Sequence, residues 1–135
     1  MVKRLLALAG LVLLAAGCGA SQQHRISEAI RESPFTESAR SQRLTIQVSQ
    51  IRVAQSDPDW ATALVSAHDS RGREAISPER AILQRDGTWS VVRLGGEVPY
   101  PSCEQTPQAV IEELFAGWCF IARGELRRIG RRSLG

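Results

Sequence analysis

The run AILQRDGTWSVVRLGG, residues 81–96, constrains the fold more than any other stretch of the chain. Two β-rich segments flank Asp86-Gly87, a pair that accepts the positive φ angles a tight hairpin turn demands. A two-residue loop there pairs Gln84 with Trp89 and Ile82 with Val91, and leaves Leu83, Val92 and Leu94 on the opposite face. Both faces of the hairpin then carry apolar side chains. Either a terminal segment covers the second face or the loop is longer than two residues.

Upstream, Leu44, Ile46 and Val48 alternate with polar residues before the phase slips by one ahead of Ile51 and Val53. Such a slip predicts a strand with a bulge around Ser49-Gln50. SDPDW, residues 56–60, is a turn in which Asp57 precedes proline, and WATALVSA continues as a second strand. HDSRGRE, residues 68–74, is a polar loop. In HRISEAIRES the apolar residues Ile26, Ala29 and Ile30 fall at i, i+3 and i+4, which predicts a short amphipathic helix halted near Ser33-Pro34.

The N-terminus has a different character. Lys3 and Arg4 precede an apolar run from Leu5 to Ala16, about a dozen residues long, and then LVLLAAGCGAS places Cys18 after small residues. This is the three-part pattern of a secretory signal, too short for a membrane span of about 20 residues. The stretch resembles a bacterial lipoprotein lipobox, although Ala15 stands where Leu, Val or Ile is usual and Leu14 comes one position early. The resemblance implies a signal peptide over residues 1–17 and a diacylglyceryl (palmitate-type) anchor on Cys18, with residues 18–24 as a polar tether. Cleavage at an ordinary signal-peptidase site, giving a secreted soluble protein, is the alternative. Removal of the leader leaves 118 of the 135 residues, enough for one small domain over residues 25–122.

With Cys18 acylated, Cys103 and Cys119 are an even pair in an exported chain, and a disulfide between them is expected. Thr106-Pro107 reads as an N-cap with proline in the first helical position, and Val110, Ile111, Leu114 and Phe115 follow at helical spacing. A bridge across this helix requires that the segment after Cys103 runs back along it or that the helix stops early. Gly117 supplies a stop. The expectation is a helix from Pro107 to Ala116 stapled at its base. The predicted fold class is α+β, a small two-layer domain. It has an antiparallel meander sheet of three or four strands, an N-terminal helix and the stapled C-terminal helix. Cystatin-like, NTF2-like and simpler meander topologies all fit this order.

Charge is unevenly placed. After residue 17 there are 15 Arg, no Lys and 14 acidic residues, so the net charge of about +1 gives no nucleic-acid signal. Residues 123–135 form an Arg-rich C-terminal tail, in which Arg127, Arg128, Arg131 and Arg132 are candidates for contact with anionic lipid or wall polymer. A solvated terminus is the competing reading.

No constellation for catalysis is visible. His68-Asp69-Ser70 are consecutive and cannot aim at one another as nucleophile, base and orienter must. Asp57 and Asp59 lack the oxygen ligands calcium needs, so Asp57 is assigned to its turn. His24 and His68 are too far apart in sequence for a zinc pattern, and no metal or cofactor is expected. Glu112 and Glu113 diverge on a helix and read as a solvated face. Trp60, Trp89 and Trp118 are assigned to the core before a sugar-binding groove.

Taken together, LTIQVS, IRVAQSDPDWATALV, AILQRDGTWSVVRLGG, a cysteine, TPQAVIEELF and a final cysteine, over residues 44–119, resemble a group of small exported actinobacterial proteins of unknown function. The resemblance implies a fold and a compartment and no reaction. The expected function is that of a non-catalytic protein, lipid-anchored at the outer face of the cell membrane, that binds or modulates an envelope partner. The alternative is a small ligand carrier or envelope enzyme whose site is assembled from distant residues.

Overall fold

The computed structural model describes residues 9–95 and 100–130, with side chains from residue 20 onward. The chain forms helix α1 (Ala9–Glu32), a single 3-10 turn (Pro34–Thr36), helix α2 (Glu37–Ser41) and strands β1 (Thr45–Val53), β2 (Trp60–His68), β3 (Glu74–Asp86) and β4 (Thr88–Leu94). Helix α3 (Gln108–Phe115) and strands β5 (Trp118–Phe120) and β6 (Leu126–Arg128) complete it. Strands β1 to β4 make an antiparallel sheet in the order β1-β2-β3-β4, and β5 pairs with β6. The α+β class and the meander are as expected, with four strands in the main sheet. No helix among the described residues is long and apolar enough to cross a membrane.

The sheet is covered on both faces, which is why β2 is buried along nearly its whole length. On one face, Ile26 and Ile30 of α1 and Ala39 of α2 pack against Ala61, Ala63, Val65, Ala67, Ala81, Leu83 and Trp89. On the other, Val110, Leu114 and Phe115 of α3 pack with Ala54, Trp60 and Ile82. Successive strand residues point to opposite faces. Thus Ala61 and Ala63 serve the α1 side while Trp60 serves the α3 side. Of the two readings left open by the sequence, cover by a later segment holds: α3 with its flanking chain lies over the second face.

Residues 18–24, read above as a tether, lie within α1. Once the turns at Ile26 and Ile30 are docked, each further residue costs only its own ordering, so helix propagates backward through Ser21 to Gln23. The helix ends where Pro34 forbids continuation. Its last carbonyls are satisfied from outside. The Thr36 hydroxyl lies 2.8 Å from the Ile30 carbonyl and 3.0 Å from that of Ser33. Arg40 donates through Nη1 to Arg31 and, at 3.2 Å, to Ser33. The short helix α2, which carries Arg40, has no signature in the apolar periodicity.

Strand register departs from expectation in two places. The β1 bulge falls where predicted, between Ser49 and Arg52, with Gln50 at φ 49°. It returns Ile51 and Val53 to the face of Ile46 and Val48. The β3–β4 turn, however, centres on Gly87 alone (φ 71°), with Asp86 opposite Thr88 and Arg85 opposite Trp89. The shorter turn replaces the predicted pair Gln84–Trp89 with Gln84–Ser90, and an extra β4 residue, Val92, between the partners of Leu83 and Ile82 carries Ile82 further, from Val91 to Arg93. Leu83, Val91 and Leu94 therefore all face α1, and Val92 does not join them. Strand β3 also begins at Glu74, earlier than its apolar run. Pro78 is tolerated there because β4 reaches back only to Ala81, so no neighbour needs its missing N–H on that side.

The Cys103–Cys119 disulfide is formed, with a Cα–Cα distance of 5.0 Å. Helix α3 stops at Phe115, Ala116 takes a left-handed conformation at φ 52°, and its N–H and that of Gly117 both return to the Ile111 carbonyl, the latter at 2.9 Å. Pro107, with an extended ψ of 137°, holds the N-cap position expected of Thr106, and no side chain caps the helix. The segment preceding α3 is laid alongside β5 by reciprocal bonds of 2.8 Å, Cys103 N–H to Phe120 and Phe120 N–H to Pro101. The staple therefore joins two hydrogen-bonded strands of chain.

Candidate functional site

Of the four arginines read from the tail, Arg127 and Arg128 are among the described residues. Arg127 pairs across from Cys119 and Arg128 across from Trp118, so the two adjacent side chains project to opposite sides of β6. Arg128 lies over the Trp118 ring at 6.0 Å. Arg131 and Arg132 fall outside the described residues, as does the side chain of Cys18. The expected domain limit at residue 122 moves outward, because residues 126–128 are a strand of the body. Gly124, at φ 80°, makes the turn that returns the chain onto β5. Gly117 and Ile129 meet backbone to backbone, with Ile129 N–H donating to the Gly117 carbonyl at 2.7 Å. High charge density concealed this strand, since its three residues are all exposed.

Other residues singled out from sequence resolve into structural parts. Asp69 Oδ1 accepts the Arg71 and Arg73 N–H groups, each at 2.9 Å, and so closes the His68–Ser70 loop. Asp57 Oδ1 accepts from Asp59 N–H at 3.1 Å, as its turn assignment implied. Asp59 Oδ1 binds Arg85 at Nε (2.9 Å) and Nη2 (2.8 Å), and the same guanidinium covers Trp89 at 5.3 Å. Trp60 and Trp89 are core residues, and Trp118 is half-buried. Glu112 and Glu113 do diverge, but Glu113 is not simply solvated. Its two carboxylate oxygens accept the Gln55 and Ser56 N–H groups at 2.8 Å each, and these backbone bonds hold its carboxyl below the ordinary glutamate value of 4.5.

A concavity lies on the α3 face of the sheet, between β4 and the stapled segment. It is a groove of about 520 Å³, within the range of about 300–1,000 Å³ common for small-molecule sites. Trp60, Ile82 and Gln84 form its floor from β2 and β3. Val92 and Arg93 form one wall, and Pro101, Ser102 and Phe120 form the other. Gln105 and Thr106, leading into α3, and Ile121, following β5, also line it. No carboxylate lies among the described lining residues.

The extra residue in β4 builds this groove. Under regular alternation Arg93 would share the α1 face with Val91, and Leu94 would point to the groove. The bulge inverts that order, so Leu94 packs toward α1 while Val92 and Arg93 both line the groove. The Arg93 guanidinium lies 4.9 Å from the centroid of Phe120, which also makes a T-shaped contact with Tyr100 at 6.4 Å between ring centroids. Arg93 Nη1 donates to the Tyr100 carbonyl at 2.7 Å. Sequence reasoning missed Arg93, whose only signal was its place after a Val-Val pair where the apolar phase of β4 slips.

No protein-family model, curated protein or solved structure matches the chain. The groups present are suited to binding. They comprise an apolar floor, two side-chain amides, hydroxyls and one cation, and no set of three or more His, Cys, Asp or Glu residues converges among the described residues.

Proposed function

We propose that this is a non-catalytic cell-envelope protein, held at the outer face of the membrane by a lipid on Cys18, whose domain binds or modulates an envelope partner. The observation that carries the reading is the Cys103–Cys119 bond, which ties two hydrogen-bonded segments of a small domain. Structural disulfides of this kind belong to oxidising compartments. The lipobox-like LVLLAAGCGAS segment supports the anchor. From Cys18 to Ile26, the first core residue of α1 among the described side chains, eight residues of helix rise about 12 Å, a short stiff spacer in place of a flexible leash. The Arg-rich terminus supplies a second, electrostatic contact with anionic lipid or wall polymer through Arg127, Arg128, Arg131 and Arg132.

The intact mass of the protein recovered from host membranes tests this. A mass showing cleavage before Cys18, added acyl chains and two hydrogens lost from Cys103 and Cys119 supports the reading. An unacylated product cut elsewhere overturns the anchor. The groove favours a second reading, a carrier of a small ligand in the same compartment.

A further inference from the structure

We infer that the groove between β4 and the stapled segment binds a small monocarboxylate with an apolar body, and that Arg93 is the residue that receives the carboxylate. The inference rests on reading the groove as a ligand site and is independent of acylation at Cys18. Three features carry it.

The first is how the cation is placed. The β4 bulge sacrifices regular pairing and brings Arg93 onto the groove face beside Ile82. A bulge that re-aims one side chain is a recurring way of equipping a site. The second is how the guanidinium is held. Stacking on Phe120 and donation to the Tyr100 carbonyl fix its plane, so less side-chain freedom is lost when an anion arrives. No carboxylate lies within 4.0 Å of Arg93 among the described residues, whereas Arg85 has Asp59. Its Nε and Nη2 groups thus offer N–H donors to a ligand, and a paired N–H···O contact to a carboxylate is the geometry a guanidinium favours.

The third is the balance of the lining. One cation with no opposing carboxylate among the described lining residues complements a single negative charge. The amides of Gln84 and Gln105 can donate further hydrogen bonds to it. Apolar surface from Val92, which is 44% exposed, and from half-buried Phe120 and Ile121 calls for hydrocarbon beside the charge. A hydrophilic dianion such as phosphate would leave that surface uncovered.

The test uses the full chain with Cys18→Ser, so that no attached acyl chain competes, and sodium octanoate as the probe. Titration followed by backbone and side-chain amide NMR is expected to show saturable binding, with the largest shifts at the Gln84 and Gln105 amides. Octanol should bind at least tenfold more weakly than octanoate. Arg93→Gln should weaken octanoate at least tenfold. Because Arg93 also supports Tyr100, Val92→Asp is the second variant. It places a negative charge at an exposed position and should weaken octanoate similarly while leaving the amide spectrum of a folded protein. Equal affinity for octanol, no saturable octanoate binding, or unchanged affinity in folded Val92→Asp would each overturn the inference.

Discussion

Glu113 acts at a distance in sequence that no local pattern reveals. From α3 it accepts two backbone N–H groups of the β1–β2 connection, so a single carboxylate ties the second layer to the sheet. Because those bonds lower its pKa in the folded chain, the stabilisation is complete above pH 4.5 and fades as pH falls through the lower folded value. Glu113→Gln is therefore expected to melt at lower temperature at neutral pH, with the gap to the parent narrowing below pH 4.5. Melting curves across that range check it. Gly117 has a comparable role through its backbone alone. At φ 88°, with the Ile129 carbonyl where a Cβ would sit, it is the position where α3 and β6 touch. Gly117→Ala should cost more than about 1 kcal/mol by chemical denaturation. A glycine after a helix was legible as a stop signal. Its closeness to Ile129 was not, since that depends on β6 returning from 12 residues downstream.

The stapled unit of the 101–103 segment, α3, β5 and β6 forms the cover of the second sheet face. Closing a loop of 16 residues of separation should stabilise the domain by about 3 kcal/mol in the chain-entropy estimate. Replacing both cysteines by alanine should lower stability by about that amount. Proteolysis of the variant should begin in this unit, because the sheet and α1 share a separate apolar cluster. Elements with strong local periodicity were readable in advance: the C-terminal half of α1, β1 with its bulge, β2 and α3. Those set by partners were not. Strand β6 consists of exposed residues paired with β5, and α2 is five residues whose Arg40 completes the end of α1. The hairpin register failed for a related reason. Asp-Gly indicates a turn, but the bulge at Val92 is decided by which residues the two cores need. The candidate groove inherited that uncertainty, as it owes Arg93 to the same bulge.

For the whole molecule, the proposed anchor and the groove occupy different parts. Residues 20–25 of α1 are exposed or half-exposed ahead of buried Ile26, while the groove lies on the sheet face opposite α1. Removing residues 123–135 to test a basic surface contact would also remove β6, so substitution is the cleaner probe. Arg131→Gln with Arg132→Gln leaves β6 intact and is the variant of choice, its melting temperature compared with that of the parent as the check on folding. The same pair should weaken cosedimentation with anionic vesicles, and unchanged cosedimentation would remove the tail from the proposal. The bulged strands β1 and β4 are also the two margins of the sheet. Each is interrupted near its middle, so neither offers an unbroken row of N–H and C=O groups on which a second chain could template itself. Copies crowded side by side on a surface are thereby hindered from zipping into a continuous ribbon.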